Sequence, residues 1–264
     1  MAEHSIVLRL AGPLQSWGSS SRFNHRDTND RPTKSGVVGL LAAALGRKRR
    51  EPIDDLTELA LAVRIDQAGE LLRDFHTLSD LWGRPLLSAS VNAKGEQKPN
   101  SSKKSTHVTV RYYLQDAVFV AVLGGGDEQL ELVAEALRHP VFPLALGRRS
   151  CVPSGPLLLR DGAGSLLWPG NAAQVIQEVP WQAADAVRRR LGGRAMLEAT
   201  VDEIDGVPLG EHDRQDVIGD VPVRFVLGEH EMSTRRVRHT WVDVRDEQHL
   251  DAGADHDPFA LLGW

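Results

Sequence analysis

Apolar positions in residues 1–160 follow two periods, and each period predicts one kind of element. Short runs rich in apolar and β-branched residues predict strands at residues 5–10, 59–65, 71–77, 117–123 and 157–160. Helical spacing of apolar positions predicts helices at residues 34–46 and 128–139, with Thr33 as the N-cap of the first. Residues 59–65 and 71–77 are predicted to be two strands joined by a hairpin turn at residues 67–70. Strand-like segments at residues 88–92 and 107–114 flank a long loop, which predicts an extra hairpin.

Without that hairpin, the order of the elements in residues 1–160 is βαββαβ. This order is typical of ferredoxin-like or RRM-like α+β domains, in which two helices pack on one face of an antiparallel sheet. We therefore expect the other face of the sheet to be free for RNA or for a partner.

Residues 161–264 are predicted to form a β-rich C-terminal extension. Strand-like runs occupy residues 196–204, 221–227 and 237–244, and a short helix is predicted at residues 181–191. Residues 162–177 are predicted to be a loop. Residues 243–257 hold six acidic residues and one arginine, a net charge of −5, and we expect this acidic tail to be solvated.

Charge distribution excludes a uniformly basic nucleic-acid binder, since the net charge of the whole chain is −5. A local excess of cations remains, because residues 94–111 carry five basic residues and one acidic residue. Their Gly, Pro, Asn and Ser content predicts a loop, and its position between two strands predicts a basic hairpin finger. A solvated surface loop is an equally good interpretation from composition alone.

Several classes of chemistry lack support in the sequence. The single cysteine, Cys151, excludes a disulfide framework. Phosphate-binding GxxxxGK[ST] and GxGxxG motifs are absent, and the histidines have no metal-ligand spacing. No apolar run is long enough for a membrane helix and no secretory signal is present. We therefore predict a cytoplasmic protein without cofactor or metal.

Two segments carry candidate anion-binding residues. Thr33, Lys34, Ser35 and Gly36 lie at the predicted start of a helix, where free backbone N–H groups and the helix dipole attract phosphate. Ordinary N-capping explains the same residues. Arg148 and Arg149 offer two guanidinium groups for phosphate, and surface ion pairs are the alternative.

The turn after the first strand contains Gln15, Ser16 and Trp17. An aromatic ring can stack on an unpaired base and an amide can bind a base edge, as in proteins that hold single-stranded RNA. A core position for Trp17 is the competing interpretation.

Five segments in this order resemble one known family: LRLAGPLQSWG, RPTKSGVVGLLAAALG, RDFHT, RYYLQDAVFVAVL and LGRRSCVPSGPL. They are similar to the CasD family, the Cas-five subunit of subtype I-E CRISPR Cascade surveillance complexes. The resemblance is dense over residues 5–160 and thinner beyond. It implies an RRM-like domain with a protruding β-hairpin thumb at about residues 80–112.

The resemblance also implies a function in antiviral DNA surveillance. A member of this family binds the repeat-derived 5′ handle of CRISPR RNA (crRNA), caps the backbone of CasC subunits, contacts the large subunit CasA and meets target DNA only through the complex. The RNA-binding residues expected here are Gln15, Ser16, Trp17, Gly18, Arg26, Thr33, Lys34, Ser35, Gly36, Lys94, Lys103, Lys104, His107, Arg111, Arg148 and Arg149.

Two other functions stay open. A related branch of the wider family cleaves precursor RNA without metal, which requires a general base and an acid or cation near the ribose. The local candidates for these roles are His76, Lys103, Lys104, His107 and Tyr112. The resemblance favours a non-catalytic binder, because a separate subunit, CasE, processes the RNA in subtype I-E, and His76 is then expected to be satisfied within a strand. A ferredoxin-like sensor or scaffold without nucleic acid is the third hypothesis.

Overall fold

A computed structural model describes the fold for residues 4–18, 25–79, 106–203, 210–226 and 229–246. The strands are β1 His4–Ala11, β2 Leu14–Gln15, β3 His25–Arg26, β4 Ala60–Gln67, β5 Glu70–Ser79, β6 Thr106–Gln115, β7 Val118–Gly125, β8 Leu158–Leu159, β9 Trp168–Pro169, β10 Arg194–Asp202, β11 Arg214–Val226 and β12 Glu229–Arg245. The helices are α1 Lys34–Ala44, α2 Asp54–Thr57, α3 Asp127–Arg138, α4 Ala172–Glu178 and α5 Asp185–Arg190.

The main sheet has the strand order β11-β12-β10-β4-β7-β1-β8, and β9 also pairs with β1. Its part β4-β7-β1-β8 is antiparallel throughout, and α1 and α3 lie between these strands in the chain. The predicted α+β class is confirmed, and this order is compatible with the predicted ferredoxin-like arrangement.

Side chains on both faces of the central strands are buried. On one face, Phe119, Ala121 and Leu123 of β7 belong to the core that includes α1 and α3. On the other face, Val120 and Val122 pack with α4 and with Trp168. A strand covered on both sides reads as a continuous apolar run, as β7 does.

The prediction that the second sheet face is free is therefore wrong. It failed because residues 162–177 were predicted to be a loop, whereas α4 begins at Ala172. A capping box starts this helix: the side chain of Asn171 accepts from the backbone N–H of Gln174, and the Gln174 side chain accepts from the backbone N–H of Asn171.

A buried ion pair on β4 attaches the end of α4 and the residues after it to the sheet. Arg64 on β4 donates from Nε to Oδ1 of Asp66 at 2.7 Å, and both side chains are fully buried. The guanidinium also donates to the carbonyl oxygens of Ile176, Val179 and Pro180. Arg64 thus satisfies the last carbonyls of α4, which a helix leaves without partners.

The C-terminal extension continues the main sheet rather than forming a separate one. β10 pairs with β4 through Ala199–Arg64, Thr200–Val63 and Val201–Ala62. The three strands predicted beyond residue 195 are confirmed, and the predicted short helix is α5. The acidic tail begins inside β12, where Asp243 is exposed and pairs with Arg194 at 3.0 Å. Asp246 is buried and pairs with Arg188 at 2.7 Å, so the prediction that residues 243–257 are solvated is wrong for Asp246.

A second, smaller sheet contains β2-β6-β3, with β5 also paired to β6. The antiparallel ladder of β5 and β6 runs from Glu70–Gln115 to Ser79–Thr106. The predicted hairpin of residues 59–65 and 71–77 is therefore wrong, because β4 pairs with β7 and β10 in the main sheet while β5 pairs with β6. The strand predicted at residues 107–114 is confirmed as part of β6. Residues 80–105, which include most of the predicted thumb, lie outside the described residues.

Arg47 and Asp55 join the end of α1 to the start of α2 by a bidentate ion pair. The Arg47 hydrogen bonds hold the pKa of Asp55 below its ordinary value of 3.8. A carboxyl group whose pKa is lower in the folded state contributes stability above its unfolded pKa and loses it as the pH falls.

We expect Asp55→Asn to lower the urea unfolding midpoint at pH 7 and to have little effect at a pH below the pKa of Asp55. The comparison of wild type and variant at both pH values measures this linkage. An equal loss at both pH values would show that the carboxylate charge is not responsible.

Candidate nucleic-acid interface

The N-terminus of α1, the predicted phosphate site, is occupied by a carboxylate of the same chain. The backbone N–H of Lys34 donates to Oδ2 of Asp220 at 2.8 Å, and that of Gly36 donates to Oγ1 of Thr33 at 3.2 Å. Asp220 is almost fully buried. The helix start does attract an anion, but Asp220 supplies it, which corrects the assignment of this site to RNA.

The side chains around this helix start form internal contacts. Nζ of Lys34 donates to Oδ2 of Asp202 at 3.0 Å, and Arg235 binds the carboxylates of both Asp202 and Asp220. Thr33 and Ser35 are also buried. Lys34 therefore joins α1 to the C-terminal extension and is not available to a phosphate.

Gln15 and Trp17 are core residues. Their side chains are 0% and 1% exposed. The Gln15 amide donates to the carbonyl oxygens of Leu10 and Ala117, and its Oε1 accepts from Nε1 of Trp17 at 3.1 Å. Base stacking on Trp17 and base reading by Gln15 are therefore ruled out by burial in this structure, and the core interpretation of Trp17 is confirmed.

Glycine at position 36 serves this core packing. A Cβ atom there would lie 2.6 Å from Cε3 of Trp17, so the absence of a side chain lets the indole pack against α1. Gly36 therefore makes room for the indole of Trp17 and not for an RNA backbone.

Ser16 and Gly18 occupy the same turn with different exposure. Ser16 is buried and its backbone N–H donates to the carbonyl oxygen of Leu146 at 3.1 Å. Gly147 packs directly on this turn, with φ of +88° and a virtual Cβ position 1.7 Å from the Ser16 carbonyl oxygen. Gly18 is exposed, so it alone of the residues 15–18 lies at the surface.

Arg148 connects the irregular segment after α3 to the small sheet. Its Nη1 donates to the carbonyl oxygen of Tyr112 at 3.0 Å, and its Nη2 donates to that of Arg26 at 2.7 Å. Its guanidinium carbon lies 4.7 Å from the centre of the Tyr113 ring, a cation–π contact. Arg148 therefore holds β3 beside β6.

Two further arginines lie at this junction. Arg26 on β3 and Arg111 on β6 are register neighbours in the parallel pair, and Arg148 bridges the two strands. Arg149, the next residue, is exposed. In the described part of the chain, no carboxylate forms an ion pair with any of these arginines, although Asp74 on β5 is the register partner of Arg111 and shares its face of the sheet. We call Arg26, Arg111, Arg148 and Arg149 the arginine cluster.

Like charges on neighbouring strands destabilise a sheet, and guanidinium forks match phosphate geometry. The arginine cluster is therefore suited to bind an anion. Of the predicted residues, these four remain together at the surface. Lys94, Lys103 and Lys104 lie outside the described residues, as does the side chain of His107, whose backbone pairs with Leu78 in the hairpin.

The hairpin separates two of the residues considered for RNA cleavage. His76 is opposite Thr109, whereas Tyr112 is opposite Arg73. Because side chains alternate between the faces of a strand, His76 and Tyr112 lie on opposite faces and do not form an acid–base couple. Nδ1 of His76 is buried without a hydrogen-bond partner, so the expectation that this ring is satisfied is wrong for that atom.

The described residues contain no cluster of His, Cys, Asp or Glu placed to bind a metal ion. Burial raises the pKa of the Cys151 thiol, which keeps it protonated and unreactive. No described helix is long and apolar enough to span a membrane.

Sequence reasoning missed the acidic partners of the α1 start and the contact of Tyr113 with Arg148. Asp220 is 186 residues from Lys34 in the chain, and no local pattern joins them. β3 is only two residues long, too short for any periodic signal.

Comparisons with known proteins identify the family of this chain. Residues 5–238 match the family model described as CRISPR-associated protein (Cas_Cas5). The chain is 34% identical over 168 residues to the "CRISPR system Cascade subunit CasD" of Escherichia coli (strain K12), which covers 58% of this chain and 69% of the relative.

Two solved structures are similar over most of the chain. A chain of a "CRISPR RNA-guided surveillance complex" has a TM-score of 0.70 and 33% identity, with 91% of each chain covered. A "Crystal structure of Cas protein" has a TM-score of 0.62 and 36% identity, with 90% of this chain and 94% of that chain covered.

Proposed function

Because the chain belongs to the CRISPR-associated protein family (Cas_Cas5), we propose that it is a non-catalytic RNA-binding subunit of a CRISPR surveillance complex. The observation that carries this proposal is the arginine cluster, in which Arg26, Arg111 and Arg148 lie at the junction of β3 and β6 and form no ion pair with a described carboxylate. RNA phosphates would neutralise this cluster.

The ligand in this proposal is the repeat-derived 5′ handle of crRNA. The similarity to a subunit of Cascade and to a chain of an RNA-guided complex supports this choice. By the same resemblance, the chain caps a backbone of CasC-type subunits and contacts a CasA-type large subunit. Target DNA is then met through the assembled complex and not by this chain alone.

Removal of the guanidinium group of Arg26 or of Arg111 is expected to weaken RNA binding. Arg26→Ala and Arg111→Ala should each lower the affinity for repeat RNA by about ten- to a hundredfold, since a lost charge-assisted contact costs about 1.5–3 kcal/mol. Filter binding at several salt concentrations measures this effect, and each variant should reduce the slope of log affinity against log salt by about one.

The matched control is Arg50→Ala, which removes an exposed arginine outside the cluster, in the segment after the C-terminus of α1. It should leave the affinity and the salt slope close to those of the wild type. If all three variants bind repeat RNA equally well, the arginine cluster is not the RNA site.

A cleavage assay tests the non-catalytic part of the proposal. Purified protein incubated with repeat RNA in EDTA should leave the RNA intact, because the resemblance assigns RNA processing to a separate subunit and because His76 and Tyr112 lie on opposite faces of the hairpin. A discrete cut that disappears in His107→Ala or in His76→Ala would establish endoribonuclease activity instead.

A further inference from the structure

The face of the small sheet opposite Arg26 and Arg111 carries aromatic side chains. Strand alternation places His25, Tyr112 and Phe75 on this face. The rings of His25 and Tyr112 are 5.3 Å apart between centroids and are inclined at 56°. His25 and Phe75 flank Val110 from its two sides, as its neighbours on β3 and β5. We call these three rings, with Arg73, the aromatic face.

Solvent reaches much of this face. Phe75 is 62% exposed and Leu71, two positions before Arg73 on the same face, is 64% exposed. Large apolar side chains in such a continuous arrangement usually mark a binding surface. Arg73, in register with Tyr112, adds an exposed guanidinium to the rings.

We propose that the aromatic face is a stacking platform for an unpaired base of single-stranded RNA, with the Tyr112 ring at its centre. This inference rests on the proposed RNA-binding function and assigns a place for a base in addition to the phosphate site. Base–aromatic stacking on a sheet surface tolerates any base, because every base has a π-face.

Charge complementarity selects RNA as the occupant. β3 is the terminal strand of the β2-β6-β3 order, and its two residues point to opposite faces. Arg26 points toward the arginine cluster, and His25 points toward the aromatic face. A single RNA strand that passes round the edge of β3 therefore meets guanidinium groups on one face and rings on the other.

Substitution of Tyr112 tests the platform. Tyr112→Leu keeps an apolar side chain and removes the ring, and we expect about a tenfold loss of affinity for a short fluorescent oligoadenylate (equivalent to ~1.4 kcal/mol). The salt slope should not change, because no charge is removed. The conservative variant Tyr112→Phe should recover the lost affinity, since it restores a ring.

An oligomer of the same length with abasic sites provides the second readout. Wild type and Tyr112→Leu should bind this probe equally, because it has no base to stack. The control variant Leu132→Ala, which removes an apolar side chain 56% exposed on α3, should bind both probes as the wild type does. Circular dichroism establishes that each variant is folded.

The outcomes separate this inference from the proposed function. If Tyr112→Leu binds oligoadenylate as the wild type does while Arg26→Ala is impaired, the platform is wrong and the RNA-binding function stands. If Tyr112→Leu binds normally but fails to join its complex, the face contacts protein and the platform is again wrong. If neither Arg26→Ala nor Tyr112→Leu affects binding, both proposals fail.

Discussion

Asp66→Ala is expected to lower the free energy of unfolding by about 3–5 kcal/mol, because it leaves the buried guanidinium of Arg64 without its counter-charge. Both side chains are fully buried, so water cannot replace the carboxylate. The Asp66 carboxylate also accepts from the backbone N–H of Gln182 at 2.6 Å. The segment after α4 therefore loses one of its attachments to the sheet.

Urea unfolding followed by circular dichroism measures this loss. The matched control is Glu135→Ala, which breaks the exposed ion pair with Arg138 on α3 and should cost less than about 1 kcal/mol. A similar small cost for both variants would show that the buried pair contributes no more than a surface pair.

Gly147→Ala is expected to destabilise the protein by about 2–5 kcal/mol and to weaken RNA binding at the same time. An L-residue at φ of +88° is strained, and its Cβ would coincide with the Ser16 carbonyl oxygen, 1.7 Å away. The backbone must move, and Arg148, the next residue, then loses its alignment with the carbonyl oxygens of Tyr112 and Arg26.

Gly164→Ala is the matched control for this variant. Gly164 has nearly the same φ, +87°, but nothing lies within 4 Å of its virtual Cβ position. It should cost only about 1–2 kcal/mol of backbone strain and should leave RNA binding unchanged. Equal destabilisation by the two substitutions would show that the contact with Ser16 is unimportant.

Local patterns predicted the elements of this fold well. Thr33 does cap α1 through its hydroxyl, and the amphipathic pattern near residues 128–139 does form α3. α4 was missed because it has only seven residues, fewer than a periodic signal needs. The covered second face of the sheet follows from that single omission.

The candidate site was less predictable, because burial depends on residues distant in the chain. Trp17 and Lys34 have side chains that can bind RNA, but both are buried. The absence of a side chain at Gly36 lets Trp17 pack against α1, and Asp202 pairs with Lys34. Arg148 was selected for its guanidinium group, but its contacts with the carbonyl oxygens of Arg26 and Tyr112 depend on the pairing of β3 with β6. Composition indicates which side chains can bind phosphate, and only the fold decides which of them face solvent.

The pairing of β10 with β4 limits how this protein can be shortened for expression. A chain ending near residue 160 would leave one side of β4 without hydrogen-bond partners, and a bare strand edge promotes aggregation. Arg64 would also remain in the interior without the carbonyl groups of Ile176, Val179 and Pro180. A soluble fragment that includes the arginine cluster therefore has to extend at least through β10.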